Sequence, residues 1–451
     1  MESFKDHILG IKDRLLEEAR EFIRMPSISA TGEGIEETAG YLRDFIIDRL
    51  DGYAELRRYG GHPIVYGYAG EDDNKAVYYG MYDVQPVDPI DKWIVDPFSA
   101  SIVEDKIIAR GAFNTKGALI SSLLGLEEYI KFYGSLPTKT YFIIEGEEEL
   151  GSPSMPKLVE DTHEDLKDGI GALFTIPSEF IRGRPSIILG NKGIIYIDLK
   201  VRIGEYDIHS SYSRGIINPA AVLAKIASHL IDPLEGPKPE WLYKGFKEPT
   251  EEELSALEDI LEALPPERII EEYRVEKPRI RDMRKLAEEV FYHPTVNIDG
   301  FCSGYCGEGT KTIIPHDAHM KIDFRLVPNM DPKEIIDEFM NMIREMGLQE
   351  YVDVKVRDMY PWSQTSIDSP AAEAAADVYK SMGEKPYMIL RLPGSAPMYL
   401  FTQRLGIDIV STGPGHGGRA HAPNEYITID TIWKTAFYTP TFFKTLADKR
   451  V

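Results

Sequence analysis

The sequence predicts an α/β protein with a mostly parallel sheet flanked by helices, interrupted by a smaller α+β domain. In the first half, short apolar segments rich in β-forming residues alternate with helical segments, which is typical of a parallel sheet covered on both faces. The middle of the chain instead has strands in which polar and apolar residues alternate. The α/β pattern resumes near Ser366. The 451 residues are enough for two or three domains.

Each element of the first domain is predicted from its own pattern. Apolar residues spaced three and four apart predict an amphipathic helix over 1–24, which Pro26 ends. Apolar, β-rich runs predict strands over 76–81, 140–144 and 171–176. A helical stretch from Lys116 to about Phe132 separates the first two of these strands.

The interrupting domain is predicted over residues 194–365, which leaves 1–193 and 366–451 as one discontinuous α/β domain. Its predicted strands and helices alternate around a charged insert, residues 231–295, that is rich in Pro, Glu and Lys. A unit of about 170 residues is an ordinary domain size. The elements predicted from residue 194 onward are strands over 194–203, 318–327 and 353–358, helices over 219–230, 332–346 and 371–382, and strands near Tyr387 and Ile407.

Composition limits the function classes. Lys and Arg number 51 against 74 Asp and Glu, so the net charge is −23, which argues against nucleic acid and anionic membrane surfaces as partners. The two cysteines, Cys302 and Cys306, cannot form a disulfide framework and make only a weak zinc motif. No segment has the length of a membrane span or a signal peptide, so the cytoplasm is the expected compartment.

The segment "EGEEELGS" (145–152) places four carboxylates directly after a predicted buried strand. Such a charge run on a helix is usually a solvated face. At a strand end, however, neighbouring carboxylates can divide the chemistry: one binds a cation, and the next takes a proton from the cation's water. The sequence therefore favours a functional role for this segment.

Three further segments are ambiguous from their residues alone. His421 follows a Gly-rich loop, so a ligand role and a structural role are equally supported. His209, in "YDIHSSYSRGIINP", is better explained as a surface turn residue. In "LRLPGSAP", Arg391 beside Gly394 and Ser395 either binds a ligand carboxylate or forms a structural salt bridge.

Taken together, these motifs resemble the M20 metallopeptidase family, in particular its carnosinase, dipeptidase and carboxypeptidase-related branch. The resemblance covers nearly the whole chain, in matching order. Its motifs are "YDVQPVDPIDKWIVDPF", "RGAFNTKG", "IEGEEELGS", "DIHSSYSRGIINP", "NIDGFCSGYCGEGTKTIIP", "RLVPNMDP", "LPGSAP" and "HAPNEY". The resemblance implies a zinc-binding α/β domain, a lid domain that usually also forms a homodimer, and hydrolysis of amide bonds in short peptides or N-acyl amino acids by water that two zinc ions activate.

The resemblance also implies residue roles. Glu148 matches the general base and Glu149 the adjacent metal ligand, while His421 matches a ligand of the second metal. His209 matches the lid histidine that stabilises the oxyanion. Asp83 matches the acid that orients the first ligand histidine. The residues that match the substrate-carboxylate region are Arg391, Gly394 and Ser395.

Three of the family's five ligand positions depart from its pattern. The first ligand His falls on Met81, and the bridging Asp falls on Asn114. No Asp stands near 176–178, where Glu179 is the nearest acid. A Met thioether is a poor zinc ligand, and a neutral amide lacks the charge to bridge two dications. One metal held by His421, Glu149 and Glu179, or none, is therefore expected rather than two. Either an active hydrolase or a catalytically silent homologue that binds a ligand or a partner chain fits the sequence.

Overall fold

A computed structural model describes residues 3–449 of the chain. The α-helices are α1 (Phe4–Gly10), α2 (Lys12–Ile23), α3 (Ile35–Arg49), α4 (Gly117–Tyr133), α5 (Met155–Asp161), α6 (His163–Leu166), α7 (Pro219–Leu230), α8 (Glu251–Ala263), α9 (Pro266–Glu272), α10 (Met283–Tyr292), α11 (Pro332–Glu345), α12 (Pro370–Met382) and α13 (Asp430–Asp448). The strands are β1 (Tyr53–Arg57), β2 (Ile64–Ala69), β3 (Lys75–Met81), β4 (Ser101–Val103), β5 (Lys106–Ile108), β6 (Lys139–Glu145), β7 (Ala172–Phe174), β8 (Ser186–Ile188), β9 (Gly190–Asn191), β10 (Gly193–Arg202), β11 (Ile208–His209), β12 (Ile231–Asp232), β13 (Gly236–Pro237), β14 (Thr295–Ser303), β15 (Ile313–Ile314), β16 (Asp317–Leu326), β17 (Val352–Tyr360), β18 (Ser363–Gln364), β19 (Tyr387–Ile389), β20 (Ile409–Ser411), β21 (Gly417–Gly418) and β22 (Tyr426–Thr428).

The larger sheet has eight strands in the order β1-β2-β6-β3-β7-β20-β8-β19. Its central strands β6, β3, β7 and β20 run parallel. Antiparallel β1 and β2 extend it on one side. The central strands are almost fully buried, as expected of a parallel sheet covered on both faces. The predicted fold class is confirmed.

The second sheet, called here the lid sheet, has four antiparallel strands in the order β14-β16-β10-β17. Alternate residues of β10 are buried, which is the pattern of a sheet with one covered face. Helices α7 and α11 pack on that face and complete a separate hydrophobic core. The β-α-β arrangement predicted around the insert is therefore present.

The structure differs from the sequence prediction in two places. The helix predicted over 1–24 is two helices, because α1 ends after Gly10 and α2 begins at Lys12. Within the insert, α8 and α10 contact each other, and α8 contacts β19 at the edge of the larger sheet. Since these helices join the core of the larger domain, the predicted lid domain does not pack only on itself. The boundaries at 194 and 365 stay a prediction.

Cys302 lies on β14, and both it and Cys306 are exposed free thiols. Within residues 3–449, none of the helices is sufficiently long and apolar to span a membrane.

A buried carboxylate, Glu128 on α4, links α4 to the first two helices of the chain. It contacts His7 at 2.9 Å, Arg14 at 2.8 Å and Lys131 at 2.7 Å. Burial alone raises the pKa of Glu128, but the hydrogen bonds from Lys131, Arg14 and His7 outweigh it and lower the pKa from 4.5 to about 2. The stability that Glu128 contributes is therefore complete above pH 4.5 and is lost as the pH falls towards 2.

We expect Glu128→Gln to lower the free energy of unfolding at pH 7 by about 2 kcal/mol, the scale of hydrogen bonds to a charged group. The deficit relative to the unmodified chain should shrink between pH 4.5 and 2. Urea unfolding at pH 7 and pH 3 measures both. Glu17→Gln, which removes the exposed partner of Arg20, is the control and should change little. A deficit that does not depend on pH would contradict this account.

Candidate functional site

The site forms where the parallel neighbours β3 and β6 end, with Met81 directly opposite Glu145 in the register. Asp83 follows β3 and is fully buried. Its carboxylate accepts hydrogen bonds from the backbone N–H groups of Glu148 (3.2 Å) and Glu149 (3.0 Å). Asp83 therefore connects the loop after β3 to the loop after β6 and fixes the backbone of Glu148 and Glu149.

Three predicted site residues meet at one point. Asn114 Nδ2 donates to Glu149 Oε1 (2.7 Å) and lies 2.9 Å from His421 Nε2. His421 Nε2 lies 3.1 Å from the same Glu149 oxygen. Gln85 Nε2 donates to the other Glu149 oxygen (2.8 Å). We call Asn114, Glu149 and His421 the central triad.

The loop of Asn114 is held by a buried ion pair. Glu425 Oε1 accepts from the backbone N–H groups of Phe113 (2.9 Å) and Asn114 (2.8 Å). Its Oε2 pairs with Arg110 Nη1 at 2.7 Å, and both side chains are 1% exposed. The segment between β21 and β22, in which His421 has a left-handed φ of 62°, thus fixes the position of Asn114 through Glu425.

The site concentrates buried carboxylates, and their pKa values reflect it. Burial, with neighbouring acids adding to it, raises the pKa of Asp83 to about 7 and that of Glu145 to about 8, and raises the pKa of Glu148 well above its ordinary value. Glu145 accepts hydrogen bonds from Tyr79 (2.5 Å) and Ser152 (2.9 Å). Both of these neutral donors reach Oε1, while Glu145 Oε2 is buried and has no hydrogen-bond partner within the described residues.

Two predicted metal-site positions serve other purposes. Met81 is 1% exposed and packs in an apolar cluster with Val77 and Tyr79. Glu179 accepts from the backbone N–H groups of Gly183 (2.6 Å) and Gly415 (2.9 Å). Both oxygens of Glu179 thus accept hydrogen bonds from the backbone, and its role as a metal ligand together with Glu149 and His421 stays a prediction.

Arg391 forms a salt bridge with Glu253 in the structure. It is 2% exposed and donates to Glu253 of α8 (2.8 Å) and to Gln364 (3.2 Å). Its charge is paired with Glu253, and the predicted contact of Arg391 with the substrate stays a prediction. The carbonyl oxygen of its neighbour Gly394 accepts from the backbone N–H of Lys192 (3.1 Å).

Ser395 contacts the lid sheet instead. Its Oγ accepts from Arg325 Nη1 (2.8 Å), and the same guanidinium donates through Nε to Asp323 (2.7 Å). Arg325 lies on β16, so this contact joins the lid sheet to the segment after β19. Between residues 3 and 449, Arg325 makes its hydrogen bonds through Nε and Nη1, so its Nη2 remains able to donate to a ligand.

Residues of β17 approach the segment after β6 that carries Glu148 (residues 146–152), which we call the Glu148 loop. A Cβ atom added to Gly151 would lie 3.1 Å from Asp358 Oδ2. Burial raises the pKa of Tyr360. The negative charges of Asp358 and Glu148 add to this rise, and the positive charge of Arg325 opposes it. We call the space between the Glu148 loop and the lid residues Arg325 and Tyr360 the cleft.

The lid residue His209 is not brought to the central triad within this chain. It is exposed on β11, which pairs with β15, and its Nδ1 lies 2.9 Å from Ser211 Oγ. Its predicted role, in which it stabilises the oxyanion, stays a prediction.

Sequence reasoning missed Gln85, Arg110, Arg325 and Glu425. Arg110, Arg325 and Glu425 stand inside motifs that carry the family resemblance, and Gln85 follows Asp83 by two residues in another. The motifs were therefore a usable signal. The particular side chains could not be chosen, because their partners lie far away in the chain.

The chain belongs to peptidase family M20/M25/M40, whose family model matches residues 77–441. It is similar to a Beta-Ala-His dipeptidase of Rattus norvegicus, with 29% identity over 72% of this chain and 68% of that protein. A Cys-Gly metallodipeptidase of Candida albicans is 25% identical over 94% of this chain and 93% of its own length. Among solved structures, an M20 family metallo-carboxypeptidase from Sulfolobus solfataricus has a TM-score of 0.90 and 36% identity, covering 96% of this chain and 99% of that one. The predicted kinship with dipeptidases and carboxypeptidases is confirmed.

Two of these relatives have metal in their names, and the family resemblance implies a bridged pair of zinc ions. The residues here do not fit such a pair. Two dications ~3.5–4 Å apart need a bridging anion, and Asn114 instead offers an amide that donates to Glu149. Within the described part of the chain, no group of three or more His, Cys, Asp or Glu side chains is arranged to hold a metal ion.

Proposed function

We propose that this chain binds short peptides or N-acyl amino acids that carry a free carboxylate, and that it holds them in the cleft. The relatives are named for Beta-Ala-His, for Cys-Gly and for carboxypeptidase activity, and the substrates that these names indicate all end in a carboxylate. A ligand of this size would reach from the Glu148 loop to the lid sheet.

The observation that carries this proposal is the position of Arg325. Its guanidinium is anchored by Asp323 and Ser395, which leaves one edge of the fork for a carboxylate. Asp358, on β17 of the same sheet as Arg325, approaches Gly151 of the Glu148 loop, so the lid sheet borders that loop. A bound dipeptide would place its carboxylate at Arg325 and its amide bond towards Glu148.

We expect calorimetric titration to show binding of a dipeptide acid and at least about tenfold weaker binding of the same dipeptide with an amidated C-terminus, since a charge-assisted hydrogen bond contributes about 1.5–3 kcal/mol. Arg325→Met should weaken binding of the acid by a similar factor. Arg357→Met, on β17 of the same sheet, is the matched control because Arg357 is itself exposed and already pairs with Asp198. Equal affinity for acid and amide would contradict the proposal, and this comparison needs no variant.

Amide hydrolysis is the second candidate function, and Glu148 is the observation that favours it. This acid, which matches the family's general base, is held beside Glu149 by the contacts of both backbone N–H groups with Asp83. Release of amino acids from the dipeptide panel, with and without Zn²⁺, Mn²⁺ or Co²⁺, separates hydrolysis from binding alone.

A homodimer through the lid domain and a cytoplasmic location also remain proposals. β14 forms one edge of the lid sheet, and Phe301 on it is 45% exposed. An open edge strand with an exposed aromatic side chain supports an interface between two copies of this chain. In such a dimer, the exposed His209 would be available to the cleft of the partner subunit.

A further inference from the structure

We propose that the centre of this peptidase-family chain is independent of metal ions, because the Asn114 carboxamide joins Glu149 and His421 by hydrogen bonds where the family's bridging group would bind metal. This inference concerns what holds the centre together, and it is independent of which ligand the cleft binds.

Neutral N–H groups donate hydrogen bonds to both oxygens of Glu149. The Asn114 amide group donates to Glu149 Oε1 at 2.7 Å, and Gln85 donates to Oε2 at 2.8 Å. Both oxygens of the one acidic member of the triad are thus satisfied by neutral N–H donors. A carboxylate that already accepts two hydrogen bonds has less to gain from a cation.

His421 also has a partner within this network. Its Nε2 accepts from Asn114 Nδ2 (2.9 Å) when the imidazole is neutral. When the imidazole is charged, Nε2 instead donates to Glu149 (3.1 Å) and no longer accepts from Asn114. In either state the ring nitrogen has one protein partner within the triad.

Three of the other residues predicted for the metal site, Asp83, Glu179 and Met81, already have hydrogen-bond partners or apolar packing elsewhere. Asp83 accepts from two backbone N–H groups, and Glu179 accepts from two others. Met81 lies in an apolar cluster and offers only a thioether, which zinc binds poorly. Zinc needs three or four N, O or S donors, and the triad supplies a histidine and one carboxylate with an amide group turned towards them.

The backbone of Asn114 is held in place by a buried acid. Its backbone N–H donates to Glu425, whose other oxygen pairs with buried Arg110. The amide is therefore presented to Glu149 and His421 by a fixed loop, as a structural bridge requires.

The test uses the full-length chain, dialysed first against Zn²⁺ and then against buffer. Elemental mass spectrometry should find well below one zinc per chain. The thermal unfolding midpoint should be the same with Zn²⁺ and with EDTA, because a ligand that does not bind the folded state cannot stabilise it. One or more zinc ions per chain, with a midpoint that rises in Zn²⁺ and loses that rise in His421→Ala, would overturn the proposal.

A variant tests the role of Asn114 separately. Asn114→Asp sets a second carboxylate against Glu149, so without metal its midpoint should fall by several degrees, and Zn²⁺ should restore part of the loss. Asn297→Asp is the matched control, because Asn297 is exposed and also donates to an acid, Asp299. It should change little and should not respond to Zn²⁺. An Asn114→Asp chain as stable in EDTA as the unmodified chain would contradict the proposal. These readouts do not involve peptide binding, so failure here is distinguishable from failure of the proposed function.

Discussion

Replacing Arg110 with Met is expected to lower the free energy of unfolding by about 3–5 kcal/mol, because it leaves the buried Glu425 carboxylate without its cation. Both side chains are 1% exposed and lie 2.7 Å apart. Arg110 also donates to the carbonyl oxygen of Pro86 (2.9 Å), so the substitution frees a second acceptor. Urea unfolding of the two chains measures the difference.

The double variant Arg110→Met with Glu425→Gln distinguishes the cost of an unpaired Glu425 charge from the cost of losing the Arg110 side chain. Gln keeps an oxygen for the backbone N–H groups of Phe113 and Asn114, but carries no charge that needs a partner. We expect it to recover a substantial part of the stability that Arg110→Met loses, which is the behaviour of two coupled residues in a double-mutant cycle. A double variant no more stable than the single one would show that the cost does not come from an unpaired charge.

The second large effect is expected at Gly125, where α4 crosses α13. A Cβ atom at this position would lie 2.1 Å from the carbonyl oxygen of Ala436 and 2.7 Å from its Cα. The atoms in conflict are backbone, so the two helices must move apart. We expect Gly125→Ala to be less stable by at least about 2 kcal/mol, despite the better helix propensity of alanine.

Gly40→Ala, in the interior of α3, is the matched control. No atom lies within 4 Å of the Cβ position there, so the substitution should stabilise the chain by about 0.5–1 kcal/mol through propensity alone. Thermal unfolding of the two variants should therefore move in opposite directions. Equal shifts would show that the crossing of α4 and α13 is not tightly packed.

The sequence was sufficient for the central elements and for one part of the site. Strands β3 and β6 were predictable because each is a continuous apolar run, and the helix between them because its apolar content has helical length. Since β3 and β6 are parallel neighbours, the loops that carry Asp83 and Glu148 had to emerge at the same edge of the sheet.

Other features depend on contacts that no local pattern encodes. Arg391 could have met a ligand or an acid, and its partner Glu253 comes from a helix of the insert, 138 residues away. Arg325 gains its place at the cleft only when Ser395 packs beside the lid sheet. The break after Gly10 was missed because the apolar spacing continues across it, while glycine weakens the helix at that point.

We infer that the cleft binds a short peptide acid and that hydrogen bonds, without a metal ion, connect the residues of the central triad. Calorimetric titration of a dipeptide acid into the chain, in EDTA and again in Zn²⁺, tests this most directly. We predict binding in EDTA with the same dissociation constant as in Zn²⁺. Binding that appears only when Zn²⁺ is added would contradict the account and assign the central triad to a metal ion.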